Sequence, residues 1–343
     1  MRLGAFLLLT ATALPFTFAA AAETDPCAVT KSETRVRPDP DGDPIRVEVG
    51  VFLIDIVDVD ELKESFKVDF VLSLAWRDLR LSAEVRGGAL DDCSLGLGDI
   101  WDPDVHPVNQ RGVTREGAQD VDIAPDGTVR FSERVTGELS TSLDLDEFPF
   151  DKQWLRIQLA SFEYGPQDVV FAVDESETGR MEDVFIGGWD VLENNSDPDV
   201  RPLTVNTRQH TRLDHTVIIE RRSSFFLWKF VVPLSFIVLM ASSVFWIDPR
   251  MTGPQIGVAT ASVFSLIAFL ISLRGVIPRV DYLTRLDELV FSVTVLVFLA
   301  LGESIITTRL SMQERHDLAS RIDRVSRWVY LSLFAGVLVV YFV

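Results

Sequence analysis

After Arg221 and Arg222 the chain passes abruptly into long apolar runs, and this change limits its fold more than any other feature. Phe226 to Trp246 is apolar apart from Lys229 and a few small polar residues. About 20 helical residues, at roughly 1.5 Å each, cross a hydrocarbon core roughly 30 Å thick. Pro254 to Leu273, Leu289 to Thr308 and Trp328 to Val343 follow, so four spans are expected. Backbone groups in lipid find no water, so each span must satisfy its own hydrogen bonds as a helix. The connector over residues 309–327 carries Arg309, Arg315, Arg321, Arg324 and Arg327 and is expected to form a cytoplasmic loop. An exported N-terminal part followed by four spans returns the C-terminus to the outside. Span count and charge bias therefore agree on one multi-pass topology.

The N-terminal stretch has Arg2, an apolar run from Leu3 to Phe18 and small residues Ala19 to Ala22. It reads as a signal peptide over 1–22, the run being short for a retained anchor. Residues 23–223 are then extracellular or periplasmic. Of 51 acidic and 32 basic side chains, only eight and ten lie beyond Ser223, which leaves the exported part strongly acidic. Such a surface argues against nucleic acid as a partner and concentrates cations, although solubility alone accounts for the acidity equally well. The two cysteines, Cys27 and Cys93, both fall in this part. An oxidising compartment favours a Cys27–Cys93 disulfide over two buried thiols. The four histidines show no metal-ligand spacing with the cysteines, so neither a metal site nor another cofactor is expected.

From about Ile45 to Glu220, short alternating apolar runs are separated by turn signals. Phe70 to Trp76, Thr128 to Val135, Trp154 to Leu159 and Thr216 to Ile219 read as strands, and Pro125-Asp126-Gly127 reads as a turn. The expected fold class is α+β: an extracellular antiparallel β-sandwich over 23–223, then a four-helix transmembrane bundle over 224–343. The second span holds Gly257, Thr260, Ala261, Ser262, Ser265 and Ser272, a small and hydroxylated set suited to helix packing or to a water-filled pore.

Other function classes fit less well. A non-conducting, membrane-anchored ligand sensor would need only one span. No nucleophile-base-acid set marks an enzyme, and no internal repeat marks a transporter.

The stretch Leu143 to Gln153 (LDLDEFPFDKQ) resembles the Cys-loop of the pentameric ligand-gated ion channels, with Thr141 and Leu155 where the two cysteines would stand. That absence resembles the prokaryotic branch. Trp76 to Leu81, Ile100 to Asp104, Pro125 to Gly127, Gly188 to Asp190, Pro233 and Ile277 to Leu283 resemble further family motifs and occur in the family's order over roughly 45–343.

The resemblance implies a homopentamer with a small-molecule agonist bound between neighbouring extracellular domains and permeant ions crossing a pore ringed by the second helices. The implied pore-lining set is Gly257, Ala261, Phe264, Ala268, Ile271 and Arg274, spaced by three and four residues as one helical stripe. Polarity alone selects Ser262, Ser265, Phe269 and Ser272 instead. The implied agonist site holds Trp101, Phe162 and Tyr164, with Trp76, Arg80 and Arg130 from the neighbour. Its rings suit an amine, whereas Arg80 hints at an anionic or zwitterionic ligand, and Trp76 and Trp101 also fit a core role. The implied coupling set is Glu61, Phe150, Asp151, Arg221 and Pro278, with Glu61 paired to Arg221. Proton-opened relatives have carboxylates matching Asp55 and Glu64, but Leu266 replaces their intramembrane histidine. Arg274 at the outer pore end opposes the acidic exported domain, and the balance leans to cation conduction.

Overall fold

The computed structural model describes residues 34–342 except 40–41, 89–94, 118–119, 194–198, 206 and 274–279. The expected signal peptide, Cys27 and Cys93, Arg274 and Pro278 lie outside the described residues.

The N-terminal domain is built around long strands: β1 (Ile45–Asp60), β2 (Ser65–Arg77), β3 (Thr128–Ser140), β4 (Lys152–Ser161) and β5 (Arg208–Arg221). One sheet pairs β1 with β2 and β2 with β3, and Gln110–Glu116 extends it along β3. The other pairs β4 with β5, adding Val105–Pro107 on β4 and both Trp189–Glu193 and Asp199–Val205 on β5. The sandwich is not wholly antiparallel. Val169–Val173 and Gly179–Arg180 run parallel to β1, because the chain reaches them by crossing from the second sheet and not through a hairpin.

Alternation selects the core. Val47, Val49, Val51 and Leu53 point inward from β1, after which a register shift between Leu53 and Asp55 moves the next inward residue to Ile56. Leu159, Ile157 and Leu155 of β4 face Leu213, His215 and Val217 of β5 across the ladder, all buried. Each such aliphatic side chain stabilises the domain by about 1.5–3 kcal/mol relative to exposure. His215 occupies an inward position in the same row and is equally buried. Gly127 closes the turn before β3 at φ 83°, where a Cβ would sit 2.5 Å from the Asp78 carbonyl oxygen. Only glycine fits there.

Four helices follow: α1 (Ser224–Trp246), α2 (Thr252–Leu273), α3 (Arg285–Met312) and α4 (His316–Phe342), each long and apolar enough to cross a membrane. α1 widens to a π turn over Leu227–Val231, just before Pro233, whose ring and missing N–H disrupt the α-helical ladder. Thr284 and Asp287 form a reciprocal capping box at the start of α3. The loop expected over 309–327 is largely helical. α3 runs to Met312 and α4 starts at His316, so only 313–315 turn the chain. Helical hydrogen bonding continues past the apolar segment, and Arg321, Arg324 and Arg327 sit on α4.

Candidate functional site

Arg221 ends β5, one short step before α1, and its side chain is only 4% exposed. Burying a guanidinium requires full compensation, and the junction supplies it. Nε donates to Asp151 Oδ1 at 2.6 Å, Nη2 donates to Asp151 Oδ2 at 3.1 Å, and Nη1 donates to Glu61 Oε1. Trp189 and Phe148 flank the cation, their ring centroids 4.1 and 4.7 Å from Cζ. Asp151 is itself buried and also accepts from Gln153 Nε2 at 2.6 Å. The resemblance named Glu61 as the partner of Arg221, but Asp151 takes the bidentate position and Glu61 the single contact.

The segment 141–151, which leads to Asp151, reaches into the helix bundle. The carbonyls of Asp146 and Phe148 accept from the N–H groups of Arg285 and Leu286, two first-turn donors of α3 that have no intrahelical partner. The Tyr282 hydroxyl accepts from Leu145 N at 2.9 Å. Phe150 packs on Tyr341 and Phe342 at the end of α4, centroids 5.6 and 6.1 Å away. One loop therefore touches β5, α3 and α4. The Thr284-to-Asp287 spacing is a capping signature that could have placed the α3 start ahead of the expected Leu289. Nothing local marked Tyr282, Tyr341, Phe342 or Trp189 as members of this contact.

On α2, Gly257, Ala261, Phe264, Ala268 and Ile271 form one exposed stripe, with Phe264 67% and Ile271 59% exposed. Gln255, Ala259, Ser262 and Leu266 are buried on the opposite face. The Ser262 hydroxyl donates to the Val258 carbonyl, Phe269 is half-buried with its ring 6.5 Å from that of Phe230, and Gln255 bonds Thr307 and Thr308 of α3. The polar register is thus mostly turned into the subunit, with Ser272 exposed.

Of the residues expected on one face of the agonist site, Trp101 and Tyr164 meet within the subunit, while Trp76, Arg80 and Arg130 were expected from a neighbour. Trp76 and Trp101 meet edge to face at 6.0 Å, and both are buried core rings. Arg80 makes two bonds to the buried Asp78 and donates to the Val36 carbonyl, so its charge is neutralised internally. Arg130 is exposed on β3. Phe162 lies beside His210 at the edge of a 250 Å³ cavity, while Tyr164 opens onto a larger one of 610 Å³. Trp101 also lies 5.4 Å from Tyr164, so Trp76, Trp101 and Tyr164 form one run of ring contacts and only Phe162 stands apart.

The larger cavity is lined by Arg35, Asp102, Arg115, Glu133, Glu163 and Tyr164, among others. Arg115 pairs with Glu133 at 3.1 Å and donates to His106 Nδ1, which leaves His106 Nε2–H to donate to Asp104 at 2.5 Å. Burial pushes the Asp102 and Glu133 carboxyls up, whereas the His106 bond holds Asp104 down. These charged residues did not figure in the expected site because each is unremarkable alone.

An extracellular sandwich whose final strand and central loop clamp a four-helix membrane bundle defines a receptor in which binding outside can act on a transmembrane segment. Residues 29–223 match the family model of the neurotransmitter-gated ion-channel ligand binding domain. The chain is also 27% identical over 292 residues to the proton-gated ion channel of Gloeobacter violaceus, covering 85% of this chain and 81% of that protein. The chain belongs to the neurotransmitter-gated ion-channel family. It is a ligand-gated channel subunit, not an enzyme, and a multi-pass membrane protein with its N-terminal domain outside.

Proposed function

We propose that the chain assembles as a homopentamer in the cell membrane, binds a small amine or zwitterion in the extracellular domain at sites between subunits, and conducts cations. The observation that carries this reading is the junction, where Arg221, Asp151 and Glu61 meet while the same loop caps α3. A buried charge cluster at such a hinge has discrete arrangements, because removing one partner leaves another charge uncompensated. Glu61, Phe150, Asp151, Arg221 and Pro278 are the proposed coupling residues.

Gly257, Ala261, Phe264, Ala268, Ile271 and Arg274 are the proposed pore lining. The exposed stripe of α2 supports this register. Phe264 is the proposed gate, since a ring of aromatic side chains dewets a narrow pore and blocks ions without full occlusion. Phe162 and Tyr164 are the exposed and half-buried aromatics of the proposed agonist site, and Arg130 is available to a neighbour. With Arg80 neutralised by Asp78, the acidic Asp102, Glu133 and Glu163 favour a ligand carrying an amine. Voltage-clamp recording of reconstituted protein during a screen of amines and amino acids tests the reading. Agonist-evoked current reversing with the cation gradient supports it, and reversal that tracks chloride refutes cation conduction. Native mass spectrometry must give the mass of a pentamer.

A second reading has protons as the agonist. Burial raises the Asp102 and Glu133 carboxyls above their ordinary values, and the Gloeobacter relative is named as proton-gated. Current evoked by an external acid step without any other ligand would establish it.

A further inference from the structure

The inner ends of α3 and α4 contain a contact that the binding and pore reading does not use. Glu303 of α3 and Asp323 of α4 bring their carboxyl groups within hydrogen-bond reach of one another. Asp323 is 1% exposed, and apart from Ser326 beside Glu303 the carboxyl oxygens meet no hydrogen-bond donor among the described residues. Acidic side chains this deep in a helix bundle are costly and ordinarily paired with a cation. Arg327, the cation that faces Asp323, is also held by α1, its Nε donating to the Phe245 carbonyl at 2.8 Å and its guanidinium lying 5.3 Å from the Trp246 ring centroid. The other groups facing the pair are Asp248 from the α1–α2 turn and the neutral Ser326 on α4. Tyr330, two turns along α4, is buried with no partner for its hydroxyl among the described residues.

Two carboxyl groups in contact have two very different states. With one proton between them they make a short, charge-assisted O–H···O bond joining the helices. With none, two like charges repel across the same gap. We propose that Glu303 and Asp323 form a proton-operated latch between α3 and α4, so that cytoplasmic pH regulates the channel from the side opposite the agonist. The latch lies on the helix that receives Asp146 and Phe148 at its other end, and on the helix whose C-terminus holds Phe150. A change in how α3 and α4 pack is thereby transmitted to the junction.

The regulatory part rests on the channel reading, so the test has two arms. In inside-out patches at fixed agonist, cytoplasmic pH steps should change open probability severalfold in the parent and leave Asp323→Asn and Glu303→Gln unresponsive, because either amide supplies a permanent donor. In liposomes without agonist, infrared titration should show a protonated-carboxyl band that each substitution removes. Equal pH responses in parent and variants, or a band that survives both substitutions, would overturn the latch. Absence of agonist current in all three proteins would refute the channel reading instead, while the infrared arm still decides whether the proton is shared. Size-exclusion chromatography of each variant checks that assembly is retained.

Discussion

The two halves of the molecule bury their apolar residues to different degrees. In the sandwich, the inward rows of β1, β4 and β5 are sealed within a single chain. In the bundle, Phe264, Ile271, Phe291 and Trp328 all lie at or above 59% exposure, pointing outward from helices that together still resemble spans. The sandwich is therefore a complete fold for one chain, whereas the bundle needs lipid on one side and further subunits on the other. Between them stands a junction that combines the buried Arg221 cluster with the Phe150 ring contacts and the backbone bonds to α3. Its charged part depends on Arg221, the residue shared by Asp151 and Glu61.

That contrast is most severely tested at Arg221. Arg221→Ala leaves Asp151 buried without its cation, a defect of about 3–5 kcal/mol. Agonist-evoked current should disappear, and the oligomer should still elute intact from size-exclusion chromatography because both halves keep their own packing. A variant that gates like the parent would mean that the junction transmits nothing.

His215 tests the sealed half. Burial alone pushes its imidazole from 6.5 down to about 4, and its Nε2 has no partner among the described residues. Because the folded value lies below the unfolded one, the unfolded chain binds the proton first. The contribution is therefore fully present above pH 6.5 and lost as pH falls toward 4. The loss amounts to about 3 kcal/mol at roughly 1.4 kcal/mol per pH unit. Thermal unfolding of the full chain in detergent should show a steeper acid decline for the parent than for His215→Leu. Superimposable pH profiles would show that water or a charge reaches this row.

The open half is tested by two phenylalanines. Phe264→Ser should hydrate the constriction and give current without agonist, while Phe269→Ser, about 140° round the helix, should chiefly reduce expression by removing a packed ring. Constitutive current from Phe269→Ser with a silent Phe264→Ser would move the pore lining onto the polar register. The smallest effect belongs to Glu61→Ala. Glu61 is 22% exposed and is the outer member of the junction, so its loss should cost no more than about 1 kcal/mol. A modest rightward shift of the agonist dose-response curve is expected. A loss as complete as that of Arg221→Ala would make Glu61, and not Asp151, the principal partner.

By itself the sequence determined the features that repeat along the chain. Period-two alternation marked the strands, apolar runs marked the four spans, and spacings of three and four put Gly257, Ala261, Phe264, Ala268 and Ile271 on one face of α2. Ordered motifs pointed to the family and to Glu61 and Arg221 as neighbours 160 residues apart. Only the tertiary structure decided that Asp151 takes the bidentate place on Arg221, that Trp76 and Trp101 turn into the core, and that Arg80 is neutralised by Asp78. It alone set Glu303 against Asp323 and ran α3 and α4 through the expected loop. The reason is one of range. Alternation and helical pitch are properties of consecutive residues, whereas the partner of a buried charge is chosen by whichever group the packed chain brings within about 3 Å.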